Sequence, residues 1–102
     1  MGINSQTVTS QEAFETVSEP KMYAVIIYND DITAADFVVD VLVRVFHKSS
    51  DDAYATMTHI DETGQGVAGV YTFDIAVTKK MQADQMAACE GFPLHLVVGP
   101  VE

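Results

Sequence analysis

The stretch Tyr23-Ala24-Val25-Ile26-Ile27-Tyr28-Asn29-Asp30-Asp31-Ile32-Thr33 decides how the rest of the chain is read. It opens as an apolar, β-branched run, Val25-Ile26-Ile27, which suits a buried strand because branched side chains pack well on a pleated surface. It closes in Asn29-Asp30-Asp31, side chains that favour turns and caps by hydrogen-bonding nearby backbone. Thr33-Ala34-Ala35-Asp36 follows and reads as a capping box. The Thr33 hydroxyl would accept from the third helical N–H, and Asp36 would reach back to the Thr33 N–H. The pattern predicts a rigid strand feeding a rigid helix, with an amide and two carboxylates held at the joint.

Acceptor groups of that kind bind hydrogen-bonding cations. A helix N-terminus by itself attracts anions, but the acidic residues at this one repel them. Taken alone, the joint also admits a plainer reading, in which the two Asp residues and Thr33 only turn and cap the chain.

A length of 102 residues allows one small domain with one core, and an apolar content of 48% is enough to fill it. Fifteen acidic residues stand against five basic ones, a formal charge of −10. That argues against nucleic acid or an anionic membrane as partner, because phosphate binding needs clustered Lys and Arg. It favours amine-bearing ligands or a basic protein surface; simple solubility is the alternative. No apolar run approaches the length of a membrane span, and no signal-peptide pattern opens the chain. The single cysteine, Cys89, excludes an internal disulfide and fits a reducing compartment.

Outward from the joint, residues 1–20 are rich in Ser, Thr, Gln and Glu and read as a flexible extension, closed by Pro20; residues 21–102 read as the folded core. A first strand is expected over about Met22 to Tyr28. A first helix is expected from about Ala34 to His47, where Phe37, Val41 and Val45 form one stripe and Val38, Leu42 and Phe46 the next. Ser49 to Asp52 is a second capping box, opening a helix with Ala53, Met57 and Ile60 on one face and a stop near Gly64. Gln65 to Tyr71 reads as a short strand whose glycines imply a bulge or a close backbone approach. Thr72 caps a third helix with Asp74 in its first turn. Its apolar residues are Ile75, Ala76, Val77, Met81, Ala83, Ala87 and Ala88, and Gly91 ends it. Leu94, Leu96 and Val98 alternate in a last strand. The order β-α-α-β-α-β predicts an α/β (α+β) two-layer sandwich, with three helices on a three-stranded, antiparallel or mixed sheet.

Chemistry in the catalytic sense is not visible. Cys89 has no nearby cation to lower its pKa. His47, His59 and His95 are isolated, and no zinc-type spacing occurs. The acidic run lacks the glycine and the bidentate Glu of a calcium loop, and Gly64, Gly66 and Gly69 do not form a phosphate loop. A non-catalytic binding module without metal or cofactor is expected.

The series Tyr23-x-Val25-Ile26-Ile27-x-Asn29-Asp30-Asp31-x-Thr33-x-x-x-Phe37-Val38-x-x-Val41-Leu42 resembles the signature of the ClpS family, small adaptors that deliver N-end-rule substrates to the Clp AAA+ unfoldase and its peptidase. Gly69-Val70-Tyr71-Thr72, Ala76-x-Thr78-Lys79 and Pro93-Leu94 agree, so the resemblance runs from about Lys21 to the C-terminus. It implies a fold shared with the C-terminal domain of the ribosomal stalk protein, so fold alone does not choose between the adaptor and a stalk-type interaction domain without amino-acid recognition.

The resemblance further implies that Asn29, Asp30 and Asp61 face the α-amino group of a substrate's first residue. Ile32, Thr33, Ala35, Val38, Met57, Ile60 and Leu94 would form the rim and walls of a pocket for that residue's side chain. Asp74 and Lys79 would face the N-terminal domain of a ClpA- or ClpC-like unfoldase. The expected ligands are proteins with Leu, Phe, Tyr or Trp first, and the expected location is the cytoplasm or an organelle stroma of bacterial origin. The chain departs from the family at Ala35, usually Met, at Asp61, usually His, and at Val77, usually acidic. Loss of the Met at the pocket mouth extends the expected range to Ile and Val.

Overall fold

The computed structural model describes residues 20–102, so the extension expected over residues 1–20 lies, Pro20 apart, outside it. Six elements follow in the order expected: β1 (Tyr23–Tyr28), α1 (Ala35–Arg44), α2 (Ser50–Thr63), β2 (Gln65–Tyr71), α3 (Phe73–Glu90) and β3 (His95–Pro100). The sheet has the order β2-β1-β3, and β1 pairs antiparallel with both neighbours. The first strand is therefore central, which is why Val25 and Ile27 are fully buried. Tyr28, its last residue, pairs with Gln65 on one side and His95 on the other.

The glycines of β2 do what their spacing implied. The register shifts where Val25 and Ile26 face Gly69 and Val67, leaving Ala68 as the extra residue of a bulge. At Gly69 the Tyr71 ring lies where a side chain would be. At Gly66 a Cβ would come within 2.7 Å of Ile60 Cγ1, so α2 and β2 pack this closely only because Gly66 has none.

The core is filled by Val25 and Ile27 of β1, by the whole apolar face of α1, by Ala53 and Ile60 of α2, and by Leu94 and Leu96. Helix α1 is shorter than expected. It ends at Arg44; Val45 and Phe46 stay buried beyond it, and His47 turns the chain with φ 58°. The Lys48 N–H then closes on the Leu42 carbonyl at 3.1 Å. Ser49 caps α2 as expected, its hydroxyl accepting from the Asp52 N–H at 3.2 Å. Gly64 and Gly91 end α2 and α3 in left-handed conformation, φ 96° and 75°.

Helix α3 differs from its expected face. Ala76, Ala83 and Ala87 are buried, whereas Ile75 and Met81 are 50% and 64% exposed. Small side chains let this helix lie close to the sheet, and the bulkier apolar residues are turned outward.

Candidate functional site

The β1–α1 joint is built differently from the capping box its sequence suggests. Helix α1 starts at Ala35 with Ala34 in the cap position and no side chain capping it. Thr33 is occupied elsewhere. Its N–H donates to Asp30 Oδ1 at 2.6 Å, and its hydroxyl donates to Asp30 Oδ2 at 2.7 Å. The Ile32 N–H also donates to Asp30 Oδ1, at 2.8 Å. A carboxylate is a stronger acceptor than any neutral group within reach, so it captures both Thr33 donors. Asp30 is thereby the organiser of the turn, and Thr33 is not the cap.

Partial burial pushes the Asp30 carboxyl up, but the Thr33 N–H, the Thr33 hydroxyl and the Ile32 N–H together hold it below 3.8. A carboxylate offers about four acceptor positions, so this one keeps room for a further donor. The next contact fixes the joint to the far side of the site: the Asn29 N–H donates to the Gly64 carbonyl at 2.9 Å, pinning the end of β1 to the end of α2.

Between those two ends lies a recess of about 270 Å³. Asn29, Asp30, Asp31 and Thr33 of the joint line one side, Ala35 and Val38 come from α1, and Met57, Ile60 and Asp61 come from α2. Its apolar wall is Val38, Met57 and Ile60; its polar wall is one amide and three carboxylates. No Lys, Arg or His lines it. The arrangement suits a ligand that carries a cationic hydrogen-bond donor beside a compact apolar group.

Asn29, Asp30 and Asp61 therefore meet, and Thr33, Ala35, Val38, Met57 and Ile60 join them. Two of the expected pocket residues do not line the recess. Ile32 is 69% exposed on the turn, because its N–H is tied to Asp30 while its side chain points away. Leu94 is buried in the core just before β3. Asp31 lines the recess without having been singled out for it; the Asn-Asp-Asp run was the signal available.

The expected unfoldase contacts lie on α3, whose first residue, Phe73, packs edge-on against Tyr23 at the opposite end of β1 from the joint. Asp74 is exposed in the first turn of that helix. Lys79 is partly buried: its ammonium donates to the Val45 carbonyl at 2.8 Å and stands 5.5 Å from the centre of the Tyr71 ring. It ties α3 to the end of α1. Among the described residues no group of three or more His, Cys, Asp or Glu stands ready to hold a metal ion, and no helix is long and apolar enough to cross a membrane.

Comparison with known proteins places this fold in a family. Residues 18–97 match the family model described as ATP-dependent Clp protease adaptor protein ClpS. The ATP-dependent Clp protease adapter protein ClpS of Acetivibrio thermocellus is 44% identical over 98 residues, covering 96% of this chain and 99% of that one. Its namesake from Helicobacter hepaticus is 48% identical over 90 residues, covering 83% and 91%. The structure of Agrobacterium tumefaciens ClpS2 bound to L-phenylalaninamide superposes with a TM-score of 0.78 at 37% identity, over 81% of this chain and all of that one. The chain belongs to the ClpS family of Clp protease adaptors. That membership, and not the fold, separates the adaptor from the stalk-type alternative.

Proposed function

We propose that the recess receives the first residue of a substrate protein and that the chain delivers this substrate to an AAA+ unfoldase of the Clp protease. The α-ammonium group has three donors and one positive charge, and Asn29, Asp30 and Asp61, with Asp31 beside them, supply fixed acceptors for it. Val38, Met57 and Ile60 take the side chain, and Thr33 and Ala35 form the rim.

The observation that carries this reading is the junction of an uncompensated acidic wall with an apolar wall in one small recess. The ligand of the Agrobacterium tumefaciens relative supports it: L-phenylalaninamide has a free α-amino group, an aromatic side chain and an amide in place of a carboxylate, which is the chemistry of a peptide's first residue. The role is that of a binding adaptor and not of a catalyst. Leu, Phe, Tyr and Trp fit the apolar wall, and the open rim at Ala35 adds Ile and Val.

For the partner, exposed Asp74 is the better candidate contact with the N-terminal domain of a ClpA- or ClpC-like unfoldase, because the Lys79 ammonium is already engaged. Residues 1–20 serve delivery and residues 21–102 serve recognition. The working compartment is the cytoplasm or a stroma of bacterial origin. Titration with peptides that differ only in their first residue tests the proposal. Phe-, Tyr-, Trp- and Leu-starting peptides should bind at least about tenfold more tightly than Ser- or Glu-starting ones; affinity independent of the first residue would end this reading.

A further inference from the structure

Helix α1 has two working faces. Ala35 and Val38 line the recess, whereas Asp36, Phe37 and Asp40 line a separate open groove of about 720 Å³ between α1 and α3. The half-buried Met86 lies in this groove, and Phe37 and Val45, themselves largely buried in the core, form its floor. Its rim is acidic. Asp36, Asp40 and Glu90 stand around it, and its one cation, Arg44, is already paired with Asp40 at 3.2 Å. Among the described residues Asp36 and Glu90 have no ion-pair partner.

We propose that this groove is a docking site for a basic amphipathic helix of another protein, a second attachment point apart from the recess. From Asp36 to Arg44 the groove wall runs about 12 Å, a little over two helical turns. That length suits the apolar stripe of a docked helix, with flanking Lys or Arg meeting the acidic rim. Charge also selects among occupants. Residues 1–19 carry Glu12, Glu15 and Glu19 and no Lys or Arg, so the chain's own N-terminal segment brings like charge. A second copy brings a formal charge of −10. A basic partner meets the rim without that repulsion.

Cys89, the sole cysteine, is exposed and lines the groove, so its alkylation reports occupancy. The test uses the full chain and a peptide of about 15 residues built from Leu and Lys with Leu at helical spacing. The peptide should bind and slow Cys89 alkylation, and the same peptide with Glu for Lys should do neither. Glu90→Lys should weaken binding about fivefold, while Glu102→Lys, the same charge change at the C-terminus, should alter it less than about twofold. Absence of binding, unprotected Cys89, or equal effects of the two variants would overturn the proposal. A Cys89 already protected in the free, dilute chain would place residues 1–19 in the groove. Protection that grows with protein concentration would place a second copy there. Either result also overturns it.

Discussion

Thr33 donates twice to one side chain: its amide reaches Asp30 Oδ1 at 2.6 Å and its hydroxyl reaches Asp30 Oδ2 at 2.7 Å. The pair holds the turn between β1 and α1 and fixes the direction in which the remaining Asp30 acceptor points. The position of the polar wall of the recess thus depends on a residue that would otherwise pass for a rim contact.

Removing that hydroxyl should loosen the turn. Thr33→Val keeps the shape but leaves Asp30 Oδ2 without its donor, a loss of about 1–2 kcal/mol in stability and a weaker hold on a peptide's amino group. The same bonds set a pH dependence. The folded-state pKa of Asp30 is below 3.8, so its contribution is complete above that value and is lost as the pH falls through the folded pKa. Thermal melts taken from neutral to strongly acid solution should show this loss in the parent chain and a shallower one in Asp30→Asn.

Gly66 should prove as sensitive as a core position. Its absent side chain makes room for Ile60, which is 3% exposed and lines the recess. Gly66→Ala places a Cβ against Ile60 Cγ1, forces α2 outward and costs about 1–3 kcal/mol. Denaturant melts should register the loss, and peptide affinity should fall with it because the apolar wall moves.

Lys79 and Asp74 should separate two roles on one helix. Lys79→Met removes the bond to the Val45 carbonyl and should lower stability by about 1–3 kcal/mol, the cost of leaving that partly buried carbonyl unmatched. Asp74→Ala, at an exposed position, should leave the melting temperature nearly unchanged and weaken binding to the isolated N-terminal domain of a Clp unfoldase. Equal stability losses in the two variants would contradict the division.

Most of the framework was legible because its signals are local. The apolar stripes of α1 bury as their spacing requires, and Gly64 and Gly91 end helices because they adopt the left-handed conformation without steric cost. What failed to show in the sequence was competition and packing. Thr33 has the spacing of a cap, yet both its donors turn to the Asp30 carboxylate three residues earlier and the helix begins one residue later, with Ala34 in the cap position. Beyond the end of α1 the chain turns at a left-handed His47, a conformation that residues other than glycine seldom adopt. In α3 the composition favours Ile75 and Met81 as core, but the close approach to the sheet selects Ala76, Ala83 and Ala87. Ile32 and Leu94 look like lining residues by type. Only the turn geometry and the core decide that one faces solvent and the other lies buried in the core.

Ala35 should act as an open gate. It is exposed at the recess mouth, where a longer side chain would overhang the ligand. A β-branched first residue is bulky next to its own backbone and stiff about χ1, so it cannot swing clear of an overhang. The parent chain should bind Ile-starting peptides within about tenfold of Leu-starting ones, and Ala35→Met should widen that gap by about another tenfold. An identical ratio in both chains would remove Ala35 from the account.

The acidic wall should bind a free α-amino group, and blocking that group tests this most directly. Acetylation removes the charge and two of the three donors while leaving the side chain to fill the apolar wall. Calorimetric titration of a Phe-starting peptide with and without an N-terminal acetyl group should give a loss of about 2 kcal/mol or more, some thirtyfold in affinity. Equal binding of the two peptides would contradict the assignment of Asn29, Asp30 and Asp61 to the amino group.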